Sequence, residues 1–273
     1  MTRMRSISNC LLAALLLFCA LPLRATTLVV RLENGRILLA ADTRQERLNP
    51  IQQTMRQSGA GDARCKVRAF GSMGFAMTGI VEYDGHGLTA TLPDWNAYDD
   101  AAAAWKSAGA NLHDLAADWA KRSATHFTRL YEADPERVKQ LAGTNPDRLL
   151  QVAFFAGWDK AAPVFVVEIL SYEPDSSPVI QVKAFDRPIN DAPFSTNAVT
   201  QELIDGTTDR AQQATAEWDD LSENIAGNEL AWKHVAFYIQ KTAVYDPTVS
   251  PVVDVLSIPA GKPPEWLERG ACS

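Results

Sequence analysis

Five consecutive apolar residues, Ile37-Leu38-Leu39-Ala40-Ala41, stand between an Asn34-Gly35 pair and Asp42. A run this short, bounded by a turn and a charge, suits a fully buried β-strand better than a helix. Such a strand needs cover on both faces, and that need limits the folds open to the chain. Thr27–Leu32, just before the turn, is β-branched and weakly alternating, which predicts a second strand. Asn34-Gly35 supplies the positive-φ positions of a tight hairpin turn. The fold therefore begins with a hairpin whose second strand is destined for the interior.

The remaining segments tell the two kinds of element apart by their hydrophobic period. Lys66–Phe70 and Phe75–Thr78 predict another hairpin around Gly71-Ser72-Met73-Gly74, after a polar excursion over residues 45–64. Leu112, Leu115, Trp119 and Ser123 keep helical spacing, which predicts a helix over about Asp99–Tyr131 with Gly109 as its break point. Asp134-Pro135-Glu136 starts a short helix that ends before Gly143. Leu149–Ala156, Val164–Tyr172 and Val179–Phe185 read as strands, 197–225 and 228–243 as helices, and Val252–Ile258 as a last strand before a Pro-rich tail, 259–273. Strands and helices come in blocks instead of alternating singly. That order predicts an α+β protein with antiparallel sheets between helix layers, a four-layer αββα sandwich, and argues against a doubly wound parallel sheet.

The first 25 residues have the three parts of an export signal: basic Arg3 and Arg5, an apolar run from Leu11 to Ala20, and Leu23-Arg24-Ala25 at a cleavage position. The apolar run is shorter than the ~20 residues a membrane span needs, and no second run follows. The expectation is a periplasmic or secreted protein with no stable membrane insertion after signal cleavage. Lipidation at Cys19 is a rival, but Leu16-Leu17-Phe18 before it lacks small residues. Cleavage after Ala25 leaves one domain, residues 26–273, and removes arginines from a chain already at a formal charge of −7. Basic residues are scattered, so the acidic chain is a poor candidate for anionic lipid, and no nucleic-acid partner is expected. Only Cys65 and Cys272 remain of the cysteines; in an oxidising compartment they either bridge or persist as two thiols.

Cleavage after Ala25 also makes Thr26 a chain start. A terminal threonine carries a hydroxyl nucleophile and an α-amine base on one residue. That amine titrates at about 7.7–8.0, so far more of it is basic at neutral pH than of a lysine. Asp42 ends the buried strand, in the segment Ala40-Ala41-Asp42-Thr43-Arg44, and Lys66-Val67 opens the second hairpin, which leads to Met77-Thr78-Gly79. Together with Gly157-Trp158-Asp159-Lys160, these segments resemble mature proteasome β-type subunits, which are N-terminal nucleophile hydrolases. The resemblance covers residues 26–79 at the level of motifs and most of 26–273 in element order.

The resemblance implies a division of labour. Thr26 Oγ attacks an amide carbonyl while its own α-amine moves the proton. Lys66 stabilises the alkoxide and lowers the proton affinity of the amine, and Asp42 holds Lys66 charged. The Gly79 N–H, expected at the mouth of a helix, is the oxyanion donor. Asp246 and Ser250, in Asp246-Pro247-Thr248-Val249-Ser250, match the family's supporting Asp and Ser in a loop one residue longer than usual. The Gly35–Asp42 and Asp42–Lys66 intervals are also longer than the family's. Its Gly-Ser-Gly segment is absent, and Ser195 is not assigned in its place. Arg44 is expected to be a structural ion-pair partner.

Other chemistries find little footing. His86, His113, His126 and His234 have no metal-ligand spacing, and neither G-x-S-x-G nor S-x-x-K occurs. Trp105, Trp119 and Trp232 are expected to be core anchors. No cofactor and no metal is expected. The substrate expected from the resemblance is a peptide or a smaller amide, acted on by a homo-oligomer. Export removes the ATP supply, so no ATPase partner is expected. The alternatives are a non-catalytic scaffold or binding protein on the same fold, and an acylase of small amides.

Overall fold

The structure is a computed structural model that describes residues 27–33, 35–45, 62–83, 92–109, 111–142, 148–173, 180–188, 230–245 and 249–272. Among these residues the chain is α+β with antiparallel sheets. It runs β1 (Leu28–Glu33), β2 (Arg36–Asp42), β3 (Arg44–Gln45), β4 (Asp62–Ala63), β5 (Val67–Phe70), β6 (Met73–Gly79), β7 (Glu82–Tyr83) and β8 (Trp95–Asn96). Three helices follow, α1 (Ala97–Ala108), α2 (Leu112–Ala133) and α3 (Pro135–Ala142). Strands β9 (Leu149–Asp159), β10 (Ala162–Tyr172) and β11 (Ile180–Pro188) come next. Helix α4 (Leu230–Tyr245) and strands β12 (Val253–Pro259) and β13 (Glu265–Glu268) complete the described elements. One sheet has the order β1-β2-β12-β13 and the other β11-β10-β9-β6-β5; β3–β4 and β7–β8 form two-stranded pairs.

The opening hairpin forms as its residues require. Glu33 pairs with Arg36 across the turn, and Gly35 sits at φ +73°, the left-handed conformation in which a Cβ is costly. Strand β2 is central, paired with β1 on one side and β12 on the other. Its alternate residues then serve two cores. Ile37, Leu39 and Ala41 pack with Val67, Ala76, Val152, Phe154 and Phe165 of the five-stranded sheet. Leu38 and Ala40 pack with Val235, Ala236 and Ile239 of α4. Both faces being buried is why the run is unbroken rather than alternating. On the far side of the five-stranded sheet, Phe75, Ala153, Phe155, Val166 and Leu170 meet α1 and α2.

Within that outer core, Trp119 is fully buried and its Nε1 donates to Ala97 O at 3.0 Å, so the indole carries no unpaired donor inward. Asn96 caps α1 by accepting from Tyr98 N, and Asn111 caps α2 by accepting from His113 N and Asp114 N. Gly109, at φ +66°, separates the two helices where the sequence placed a break. Trp105 packs on the ring of Phe70, and Trp232 packs on the α4 core.

Two expectations need correction. The segment after Pro259 is more than a tail: β13 pairs with β12 and forms the edge of the first sheet. Gly79 ends β6, and the first described helix after it begins at Ala97. The helix expected over 197–225 lies outside the described residues.

A charged cluster sits where β8, α1 and α2 meet. Trp95 Nε1 donates to Asp100 Oδ2 at 2.7 Å, and His126 Nε2 lies 3.7 Å from Asp100 Oδ1. Burial pushes the Asp100 carboxyl up, against the Trp95 hydrogen bond and the His126 charge. Burial likewise pushes His126 down, against the attraction of Asp100 and with help from Arg129. A histidine depressed in the folded state binds fewer protons there than in the unfolded chain just below the ordinary value of 6.5. Its contribution is therefore present above that pH and is lost as pH falls. Urea titrations should show stability declining below about pH 6.5, and a His126→Phe chain, which keeps the ring contact with Trp95, should decline less over the same window.

Candidate active site

Strand β2 carries Asp42 out of the hairpin and into the gap between the two sheets, where the carboxylate has no solvent exposure. Its Oδ1 accepts from Thr27 N at 2.8 Å and from Lys66 Nζ at 3.2 Å. Its Oδ2 accepts from Lys66 Nζ at 3.1 Å and from Ser250 N at 3.3 Å. Asp42 N in turn donates to Thr27 O at 3.2 Å. In each of these bonds the carboxyl is the acceptor, which suits the ionised form. Burial pushes Asp42 above its ordinary range, and Lys66 and the two N–H groups oppose that rise.

Lys66 immediately precedes β5 of the opposite sheet, so the Asp42–Lys66 pair bridges the two sheets. Its side chain is almost wholly buried. The backbone around it is held from several directions. Tyr98 in α1 donates its hydroxyl to Lys66 O at 3.2 Å, and Arg68 Nη1 donates to Cys65 O at 2.9 Å. Arg64 N donates to Thr43 O at 2.7 Å, and Thr43 N donates to Val252 O at 3.1 Å. Ser250 Oγ accepts from Thr43 Oγ1 at 3.2 Å and from Val252 N at 3.0 Å. Asp42, Lys66 and Ser250, widely separated in sequence, therefore converge on one carboxylate.

The nitrogen of Thr27 that faces Asp42 is the atom that joins Thr27 to residue 26. Thr26 itself and Asp246 lie outside the described residues, as do Ser195 and His86. Gly79 corrects the expectation attached to it. Val67 pairs with Ala76, so the same register carried back puts Lys66 opposite Met77, two residues short of Gly79. Gly79 thus sits near the site at a strand end and not at a helix mouth, so helix polarity cannot strengthen its N–H as an oxyanion donor. Its φ is +91°, and a Cβ built there would lie against the Leu150 carbonyl. Gly79→Ala should cost about 1–3 kcal/mol from the backbone conformation alone, more once the contact is included, read as a lower urea midpoint.

Two groups near the site, Tyr98 and Arg68, had no local sequence signal, and of the two readings of the cysteines the structure has the bridge. Tyr98 reaches Lys66 across 32 positions of chain. Arg68 stacks its guanidinium 4.8 Å above the Tyr98 ring, and burial drives the Tyr98 phenol far above its usual range. Cys65 is joined to Cys272 by a disulfide, with Cα atoms 4.5 Å apart. Cys65, Cys272 and Asp254 bring three metal-type ligand atoms within 4.8 Å of one another. The bridge occupies both sulfurs, and a disulfide sulfur is not the thiolate that metals bind. His113 is exposed, while His234 Nδ1 lies 2.6 Å from Arg31 Nη1, so the guanidinium donates and Nε2 carries the ring proton.

No protein-family model matches the chain, and no curated protein matches it.

Proposed function

We propose that the chain is an exported threonine-type N-terminal nucleophile hydrolase, a four-layer αββα sandwich similar to proteasome β-type subunits, which cleaves peptide or smaller amide bonds through an acyl ester on Thr26. The observation that carries this reading is the buried Asp42–Lys66 pair, bonded through the same carboxylate to the backbone N–H of Thr27 at 2.8 Å. A lysine and an aspartate taken out of water are costly, and hydrophobic residues of the same volume would often serve stability as well. Such a pair beside a chain start is explained by chemistry more readily than by folding. Support for the architecture comes from the cores: one between the sheets, one under α1 and α2, and one under α4.

In this reading Thr26 Oγ attacks the carbonyl as the α-amine accepts its proton. The amine then delivers the proton to the departing amine, and later activates the water that cleaves the ester. The Lys66 ammonium favours the neutral amine by like-charge proximity and stabilises the developing alkoxide. Asp42 keeps the ammonium oriented. Ser250, tied to Asp42 and Thr43, supports the carboxylate, with Asp246 as its companion. The Gly79 N–H serves as the oxyanion donor. The disulfide supports an oxidising, periplasmic or secreted location. The protein is expected to self-associate and to act on peptides or unfolded chains with no ATPase partner.

The test is the intact mass and N-terminal sequence of the exported protein, followed by incubation with a peptide epoxyketone. A chain starting at Thr26 that gains one inhibitor mass on that residue supports the proposal. A chain that retains residues before Thr26 and takes up no label would sink it.

A further inference from the structure

We propose that the Cys65–Cys272 disulfide, together with Asp254 and Gly270, is a positioning device for the Lys66 ammonium, so that amide hydrolysis is fast only while the bridge is closed. The inference rests on the hydrolase reading above and adds a redox dependence to it.

The argument begins with adjacency. Cys65 is the residue before Lys66, and the bridge ties it to Cys272, 207 positions away. Cys272 is itself fixed to β12. Asp254 is buried in that strand, and its Oδ1 accepts from Gly270 N at 2.7 Å, Ala271 N at 3.0 Å and Cys272 N at 3.0 Å. Three converging N–H groups on one carboxylate oxygen make a stiff joint. The neighbouring residue of β12, Val253, is the register partner of Asp42. Both members of the Asp42–Lys66 pair are thus referred to one strand: Asp42 through the sheet, Lys66 through the bridge.

Close packing completes the device. A Cβ at Gly270 would lie 2.5 Å from Val252 Cγ1, 2.8 Å from Val253 O and 2.9 Å from Thr43 Cγ2. Residue 270 must therefore be glycine for the segment to press against Thr43, the residue after Asp42. Arg68 and Tyr98 hold the Cys65 and Lys66 carbonyls, so opening the bridge loosens the Lys66 backbone without releasing it. Among the described residues, charged and titratable groups around Lys66 come from four elements: Asp42 of β2, Arg68 of β5, Tyr98 of α1 and Asp254 of β12.

Opening needs a dithiol reductant. Its first thiolate attacks one sulfur of the bridge and releases the other cysteine as a thiolate. Its second thiolate displaces the remaining cysteine and leaves as a cyclic disulfide. Two electrons and two protons pass to Cys65 and Cys272. Cys65 is the less buried residue of the pair.

The test uses the full processed chain with a fluorogenic peptide amide, oxidised and after treatment with a dithiol, alongside a Cys65→Ala/Cys272→Val chain and a Gly270→Ala chain with its bridge intact. All three perturbed forms should lose kcat by about tenfold or more, the scale of a misplaced catalytic group, with KM changed less than twofold. The acid limb of kcat/KM should move to higher pH, because an amine less repelled by Lys66 holds its proton more tightly. Hydrogen exchange should speed up in peptides covering 62–68 and 268–272 while the β9–β10 peptides stay protected. Unchanged kcat and pH limb in the reduced chain would overturn the proposal. So would global loss of protection on reduction, which would make the bridge a support of the whole fold. If the oxidised chain neither hydrolyses nor takes up the epoxyketone, the hydrolase reading fails and this proposal with it.

Discussion

A Lys66→Met chain should fold but melt roughly 10 °C below the parent and show no measurable hydrolysis. Removing one member of a buried ion pair typically costs about 3–5 kcal/mol, because the other charge stays buried without its partner. In a domain of this size each kcal/mol moves Tm by about 2–4 °C. Asp42 keeps its N–H donors from Thr27 and Ser250 but loses the ammonium. The pH dependence gives the result a second signature. Burial already raises Asp42 above its ordinary 3.8, and Lys66 is the largest influence holding it down. Without Lys66 the carboxyl rises further, and the folded chain binds that proton more readily than the unfolded one. The stability deficit should therefore be greatest at neutral pH and should shrink as pH falls through the raised value. Adding Asp42→Asn should restore part of the melting temperature and none of the activity. A Lys66→Met chain as stable as its parent at pH 7 would show that the pair is not desolvated.

Thr26→Ala should abolish turnover with no change in the melting curve. Loss of a covalent nucleophile costs about a millionfold in kcat where the other catalytic groups depend on it. Thr26→Ser keeps a hydroxyl and an amine on one residue and should retain part of the rate. A chain that keeps Ala25 in front of Thr26 should be as inactive as the alanine variant, because its amine is then an amide nitrogen. Mass spectrometry after inhibitor treatment separates the forms: an adduct on the parent and on Thr26→Ser, none on the other two. An adduct on Thr26→Ala would move the nucleophile elsewhere.

The legible parts of this molecule were those with a local cause. Asn34-Gly35 announced the first hairpin because only certain residues tolerate its turn, and the structure has Gly35 at φ +73°. The unbroken run Ile37–Ala41 announced a doubly covered strand, which β2 is. Asp42, Lys66 and Ser250 stand out through the resemblance to proteasome β-type subunits, and they do meet at one carboxylate. The illegible parts depended on distant partners. Glu265–Glu268 is four residues among prolines with no clear period, and it is a strand only because β12 pairs with it. Asp254 looks misplaced inside the apolar stretch Val253–Ile258 until its donors arrive 16–18 residues later. The expectation of a helix mouth at Gly79 follows from the resemblance alone, since the residues themselves predict the helix only from about Asp99. Tyr98 gave no hint, since a tyrosine in the first turn of a helix is ordinary until the strand it reaches is known.

The disulfide also makes most of the chain a covalent ring. Residues 65 to 272 are closed on themselves, and β1 and β2, with Asp42 and the chain start, lie on the free arm outside. Closing a loop of that length removes about 5 kcal/mol of unfolded-state freedom in the chain-entropy account. A single peptide-bond cut within the ring leaves one molecule of unchanged mass under non-reducing conditions, apart from a water. A cut on the arm sheds a fragment at once unless sheet pairing retains it. The ring can thus survive nicks, while the arm, after a cut, stays attached only through non-covalent contacts: the β2–β12 ladder, the packing of β1 and β2 into two cores, and the bonds of Asp42 and Thr43.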